Sequence, residues 1–209
     1  FVTDLKVLDH RPMPAPIPAV FGRLFRGADT GKRVVFEGIV QAVDDQRPLV
    51  SLLVDVDARE VLVKGRQEDF PTPFDTLVDA VVRITGVSGT VRNTRGEFLR
   101  PAFWVTQPED IAIVTLAPTS VFEAPLRKLE SLADYRSGNR LAHRVRTRGV
   151  VTFSLPGQML YLQQGLTGIR VATTDPQRFA EGDLIEASGF ITMDRQIAGL
   201  TQAAVQRLG

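Results

Sequence analysis

Two stretches decide the fold: Ala142-His143-Arg144-Val145-Arg146-Thr147-Arg148-Gly149-Val150-Val151 and Gly31-Lys32-Arg33-Val34-Val35-Phe36-Glu37-Gly38-Ile39-Val40. Each alternates in part and sets a glycine before two branched apolar residues. A second matched pair follows in the same order, Asp79-Ala80-Val81-Val82-Arg83-Ile84-Thr85-Gly86-Val87 and Gly182-Asp183-Leu184-Ile185-Glu186-Ala187-Ser188-Gly189-Phe190. The glycines are 48 residues apart in the first copy and 40 in the second. Two landmarks repeated in order describe a duplicated domain. A solenoid would carry shorter and more numerous repeats.

Between the landmarks lie short segments of strand character. In the second copy these are Met159-Leu160-Tyr161-Leu162-Gln163 and Gly168-Ile169-Arg170-Val171-Ala172, bounded by Pro156-Gly157 and Gly165. In the first, Val50 to Val56 and Glu60 to Lys64 take those places, and Thr201-Gln202-Ala203-Ala204-Val205 closes the last copy. A small five-stranded barrel closes only if its long first strand bends sharply, and a glycine allows that bend without a Cβ clash. Gly38 and Gly149 fall where the bend is needed, and Gly86 and Gly189 mark the fourth strand. The expected fold is all-β, two tandem OB-fold-like five-stranded Greek-key barrels. Residues 173–182 leave little room for a helix between strands three and four of the second barrel.

A short helix is expected before each barrel. Val20/Leu24 and Phe21/Phe25 are four apart within Ala19–Phe25. Pro125–Leu132 sets Leu126, Leu129 and Leu132 on one side behind Pro125. The prolines at 12, 14, 16, 18 and 118 read as extended linkers. The division is residues 1–16 as an N-terminal strand and linker, 17–118 as the first barrel and 119–209 as the second.

Composition removes whole classes of function. Of 209 residues, 44% are apolar and 23% charged, as in ordinary globular chains. Zero cysteines exclude disulfides, thiolate zinc sites and a cysteine nucleophile, and two histidines leave little for a histidine metal site. No phosphate-cradling glycine loop or nucleophile elbow occurs. Asp44-Asp45, Asp55, Asp57 and Glu68-Asp69 lack a paired histidine and read as turn or solvated carboxylates. No enzyme, metal or cofactor is therefore expected. Residues 1–118 carry 14 basic and 16 acidic groups and residues 119–209 carry 11 and 8, too even to imply nucleic acid by charge. The chain opens on Phe1 without a basic-then-apolar leader and holds no run of about 18 apolar residues. It reads as a piece of a longer protein.

The series Arg144–Phe153, Leu160-Tyr161-Leu162-Gln163, Thr167-Gly168-Ile169-Arg170-Val171 and Glu181–Phe190 resembles the tandem OB-like repeats in extracytoplasmic sensor regions of bacterial histidine kinases and related signalling proteins. That resemblance implies a non-catalytic sensor or interaction region on the periplasmic side of the inner membrane. Its membrane anchor would lie in segments outside this chain. It would bind a small ligand or a partner protein and act by changing the angle between barrels or by forming a homodimer. Thr3-Asp4-Leu5-Lys6-Val7-Leu8 resembles the last strand of a preceding repeat, and residues 2–8 are expected to dock as a strand on a neighbour or exchange between chains. The family often carries an acidic residue after the glutamine of strand two, where this chain has Gln164-Gly165; the first copy has Val54-Asp55-Val56-Asp57. One site shared by both barrels is not expected.

OB-folds commonly bind on the outer face of strands two and three. With Leu160, Leu162, Ile169 and Val171 inward, Tyr161, Gln163 and Arg170 point outward. With Arg146 beside them, they would suit a sugar, an anion or a base; the alternative is a solvated sheet face. Arg136, Arg140, His143, Arg144, Arg146 and Arg148 form a basic stretch, read as a charged face balanced by Asp134 and Glu186. His143 is expected at the surface, His10 in the linker, and Trp104 between the first barrel and the linker. Two other readings remain. A single-stranded nucleic-acid binder is disfavoured by 7% aromatics and an acidic first half. A spacer would need no ligand at all.

Overall fold

The computed structural model describes residues 6–57, 59–70, 73–133, 143–194 and 197–208; for Asp75, Ala133 and Asp194 only the backbone is described. A two-residue strand β1 (Ile17–Pro18) and a short helix α1 (Phe21–Leu24) lead into β2 (Arg33–Gln46), β3 (Leu49–Val56), β4 (Arg59–Arg66), β5 (Val81–Arg92), β6 (Phe98–Trp104) and β7 (Ile111–Thr115). Helix α2 (Leu129–Ala133) then precedes β8 (Val145–Leu155), β9 (Met159–Gln164), β10 (Thr167–Ala172), β11 (Leu184–Asp194) and β12 (Ile197–Arg207).

The pairings close two rings. In the first, β2 pairs β3, β3 pairs β4, β4 pairs β6 in parallel, β6 pairs β5, and β5 returns to β2. In the second, β8-β9-β10-β12-β11 closes in the same order, with β10–β12 the parallel pair. Both rings therefore run one-two-three-five-four. The chain is all-β, two tandem OB-fold-like five-stranded Greek-key barrels, each preceded by a short helix. β1 and β7 extend the first barrel at its edges by pairing with β2 and β5.

Closure requires the first strand to serve two partners. Gly38 pairs Val82, and Ile39 pairs both Val81 and Asp55. Gly149 pairs Ile185, and Val150 pairs both Leu184 and Gln163. The change of partner thus falls one residue after the glycine in both copies. A Cβ on Gly38 would lie 2.6 Å from Val54 Cγ1 and 2.7 Å from the Asp55 carbonyl oxygen; on Gly149 it would lie 3.0 Å from Leu162 Cβ. A register shift follows at once in each strand, between Val40 and Ala42 and between Val151 and Phe153. The extra residue deepens the local twist and lets the strand coil around the barrel.

Alternation fills each interior. Val50, Leu52 and Val54 of β3 and Val61 and Val63 of β4 are buried with Phe36, Val82, Ile84 and Phe103, whose rings Phe36 and Phe103 lie 4.5 Å apart. In the second barrel Val151, Leu160, Leu162, Ile169, Val171, Ile185 and Leu200 play that part. Each helix plugs one barrel: Leu24 joins the first core, and Leu129 and Leu132 the second.

The linkers depart from the sequence reading. The helical spacing over Pro125–Leu132 is realised only from Leu129. Pro125–Arg127 instead runs beside β8, where Leu126 bridges Arg146 and the Arg127 amide donates to the Arg146 carbonyl at 2.7 Å. Proline has no amide to give a helix ladder, but its carbonyl accepts from the Arg146 amide at 2.9 Å. The first linker docks likewise, with Pro18 opposite Val35 and the Ala19 amide on the Val35 carbonyl. The expected strand over residues 2–8 is not formed at Lys6, Val7 and Leu8, which are exposed and without regular structure; residues 2–5 lie outside the described residues. Residues 173–182 form no helix, as their length predicts.

Gly38→Ala is expected to destabilise by about 1–3 kcal/mol, because backbone and branched side chains crowd the new methyl. Gly149→Ala, with its wider clearance, should cost less. Urea titrations followed by circular dichroism, with Trp104 emission for the first barrel, test the order.

Candidate functional site

The outer face of the second barrel carries a row of three side chains on three neighbouring strands, ended by a glycine on the fourth. Phe153 on β8 pairs Tyr161 on β9, Tyr161 pairs Arg170 on β10, and Arg170 pairs Gly199 on β12. Phe153 is 44% and Tyr161 38% exposed, with ring centroids 6.2 Å apart. Tyr161 and Arg170, with Met159, Thr192, Ile197 and neighbours, line a groove of about 560 Å³. Gly199, beside that groove, lets β10 and β12 approach closely: a Cβ there would sit 2.6 Å from the Arg170 carbonyl oxygen. Aromatic surface beside one guanidinium offers stacking and a charge-assisted hydrogen bond.

Of the four residues singled out from sequence, the structure brings two into this groove. Gln163 faces outward as expected, but its amide donates to the Gly165 carbonyl at 2.9 Å and serves the β9–β10 turn. Arg146 lies elsewhere: its Nε donates to the Ala124 carbonyl at 2.8 Å under the linker. Its register partner is Ser188 on β11, not a residue of β9, and that separates it from Tyr161. Phe153 was missed because plain alternation from Val151 turns it inward; the register shift after Val151 reverses its face. A residue before Tyr161 in register is visible in sequence only if the bulge is.

The basic stretch is neutralised largely as the charge pattern predicts. Arg148 Nε donates to Glu186 Oε1 at 2.9 Å, Arg146 Nη1 lies 3.6 Å from the same oxygen, and Gln206 donates to Oε2 at 2.9 Å. Burial raises the Glu186 carboxyl pKa; the hydrogen bonds from Arg148 and Gln206 and the charges of both arginines outweigh it, leaving the group below its ordinary value. Arg144 does not join that face but is buried beneath Phe190, 4.6 Å from its ring. His143 is half-exposed, with Nδ1 2.9 Å from Asp79 Oδ1. Asp134, Arg136 and Arg140 lie outside the described residues.

The first barrel presents different chemistry at equivalent positions. Register places Ala42, Leu53, Leu62 and Ala102 where the second has Phe153, Tyr161, Arg170 and Gly199. Its smaller groove, about 300 Å³, includes Ser51, Leu53, Leu62 and Lys64. Trp104, expected between barrel and linker, is instead 44% exposed on β6, opposite Lys64 and 6.0 Å from its ammonium. Register decides this: Phe103 takes the inward position and leaves its neighbour outside. The acidic turns are paired locally, Glu68 and Asp69 with Arg66 and Asp45 with Arg47. Among the described residues no group of three His, Cys, Asp or Glu side chains is placed to hold a metal ion.

No family model and no curated protein sequence matches the chain. Solved structures that overlap it in part include an aspartyl-tRNA synthetase from Entamoeba histolytica, at 12% identity and TM-score 0.39 over 88% of this chain and 54% of that one. A murine DNA-binding protein bound to double-stranded DNA overlaps at 11% identity and TM-score 0.34, over 83% and 99%. The telomere capping protein Ten1 from Saccharomyces pombe overlaps at 15% identity and TM-score 0.30, over 39% and 79%. The strand connectivity, not these superpositions, establishes the barrels.

Because Glu186 titrates below its unfolded value, its stabilising contribution is present above that value and is lost as pH falls through the folded one. The Glu186→Gln variant should therefore lose less stability than the parent between about pH 6 and about pH 3, measured by denaturant unfolding at each pH.

Proposed function

We propose that this chain is a non-catalytic recognition region of a membrane-anchored bacterial signalling protein, on the extracytoplasmic side. In this reading it binds a small ligand or a partner protein through the outer face of the second barrel. The observation that carries the binding role is the Phe153–Tyr161–Arg170 row over its groove. Exposed aromatics in register with a cation form a recognition surface that barrel closure does not need. The sequence pattern of Arg144–Phe153 and Glu181–Phe190 supports the signalling context. The two barrels are joined by a linker whose end, Pro125–Arg127, docks on β8, and in this reading binding acts through that joint.

A second reading has one feature in its favour: aromatic rings beside an arginine also stack bases of single-stranded nucleic acid. Against it, Arg146 and Arg148 are held by Glu186, which leaves Arg170 as the cation in the aromatic row.

Binding of labelled single-stranded oligonucleotides at low and moderate salt separates the two. The recognition reading expects no saturable binding. Binding that weakens steeply with salt and is lost in Arg170→Ala would replace it with the nucleic-acid reading. For a ligand or partner found by screening, Phe153→Ala and Tyr161→Ala should each weaken affinity by about tenfold or more, by calorimetry, with the fold retained. In the intact protein, alkaline phosphatase inserted after Gly209 should be active. An inactive phosphatase with a fluorescent cytoplasmic reporter at the same point would exclude the extracytoplasmic placement.

A further inference from the structure

A second cleft, of about 570 Å³, lies between the barrels and is separate from the aromatic face. Its volume is within the range of small-molecule sites, about 300–1,000 Å³, and such sites favour domain junctions. Val43, Val78, Leu116 and Val121 give it apolar walls, and Asp79 and Arg144 give it two opposite charges.

Arg144 is only 8% exposed. Its Nη1 donates to the Gln202 carbonyl at 2.6 Å and the Ser188 carbonyl at 3.3 Å. Among the described residues nothing accepts from Nε or Nη2, the edge of a guanidinium that grips a carboxylate with two parallel bonds. Comparison of the barrels makes this unusual. Register equates Arg144 with Arg33, and Arg33 has a carboxylate, Asp110 Oδ1, 3.4 Å from its Nη2. The copy in the second barrel is more deeply buried and has no carboxylate on its side chain among the described residues. Burial pulls the Arg144 pKa down while the charge of Asp79 pulls it up.

Asp79 is buried as well and holds φ at +71°. The equivalent turn of the second barrel has Gly182, at φ +93°; both amides donate to the matching carbonyl of the first strand, Val40 or Val151. Aspartate tolerates this left-handed turn better than most side chains, and here it brings a carboxylate to the position that glycine fills in the other copy. Oδ1 accepts from the Arg144 amide at 3.3 Å and contacts His143 Nδ1 at 2.9 Å. Oδ2 has no partner among the described residues. Asp79 and Arg144 form no ion pair with each other, so the two charges stand apart on the cleft wall.

We propose that this inter-barrel cleft binds a zwitterion with an apolar side chain, of the α-amino acid class. The ligand carboxylate takes the Nε/Nη2 edge of Arg144, its ammonium takes Asp79 Oδ2, and its side chain lies against Val43, Leu116 and Val121. A ligand seated there contacts both barrels at once.

The test is calorimetry on the intact chain with leucine, isoleucine, valine, methionine and phenylalanine. Isocaproate and isoamylamine, which each lack one charge of leucine, are the controls. At least one amino acid should bind saturably, and each single-charge control should bind about tenfold more weakly or not at all. Arg144→Lys should abolish binding but risks the fold through the two carbonyls it holds. Asp79→Asn, which still tolerates positive φ, and Val43→Trp, which fills the cleft from the first barrel, are therefore measured beside it. Both should remove binding with the far-ultraviolet circular dichroism spectrum still that of the folded chain. Absence of saturable binding by the folded chain overturns the proposal. So does equal binding of isocaproate, or binding that survives both Asp79→Asn and Val43→Trp.

Discussion

Closure of each barrel rests on one strand hydrogen-bonding to two neighbours that lie on different sides of it. The first strand leaves β5 or β11 and takes up β3 or β9 at the residue after a glycine, and gains one unpaired residue just beyond. The glycine is required because the incoming strand's backbone occupies the space of a side chain. The bulge is required because a strand that coils this tightly cannot keep a flat ladder. Everything on the outer face follows from it. The bulge turns Phe153 outward beside Tyr161, and at the same point of the first barrel it turns Ala42 outward beside Leu53.

The duplication keeps what closes the barrel and changes what faces water. Glu37 on β2 pairs Arg83 on β5, with Arg83 Nη2 2.7 Å from Glu37 Oε1; at the same register in the second copy Arg148 on β8 pairs Glu186 on β11, with the charges reversed. An ion pair tolerates that exchange because only the opposition of charge is needed. The aromatic row has no such counterpart, since Ala42, Leu53, Leu62 and Ala102 supply neither ring nor cation. The two barrels are thus one scaffold with two different surfaces.

The junction is built from the same repeated parts. The segment before each helix runs parallel to the first strand of the barrel it precedes, and so lays the linker against the barrel wall. Asp79, at the turn where the other copy has glycine, reaches across to the first residues of the second barrel. Ser188 Oγ donates to the carbonyl of Val121, tying the linker to the second barrel. These contacts are specific polar ties between the first barrel, the linker and the second barrel.

The sequence by itself determined the duplication, the strand alternation, the bend glycines and the inward faces of β3, β4, β9 and β10. These are local: a period of two and a missing Cβ are written in neighbouring residues. It also marked Tyr161 and Arg170, because parity inside a regular strand survives folding. Only the tertiary structure decided that Phe153 joins them, that Arg146 lies under the linker, that Trp104 is exposed, and that Pro125–Arg127 lies along β8 instead of starting a helix. Each of these depends on register across strands, on a bulge or on chain segments far apart in sequence. The cleft carrying Asp79 and Arg144 belongs to the same class, because residues 65 apart form its two charged poles only when both barrels have closed and met.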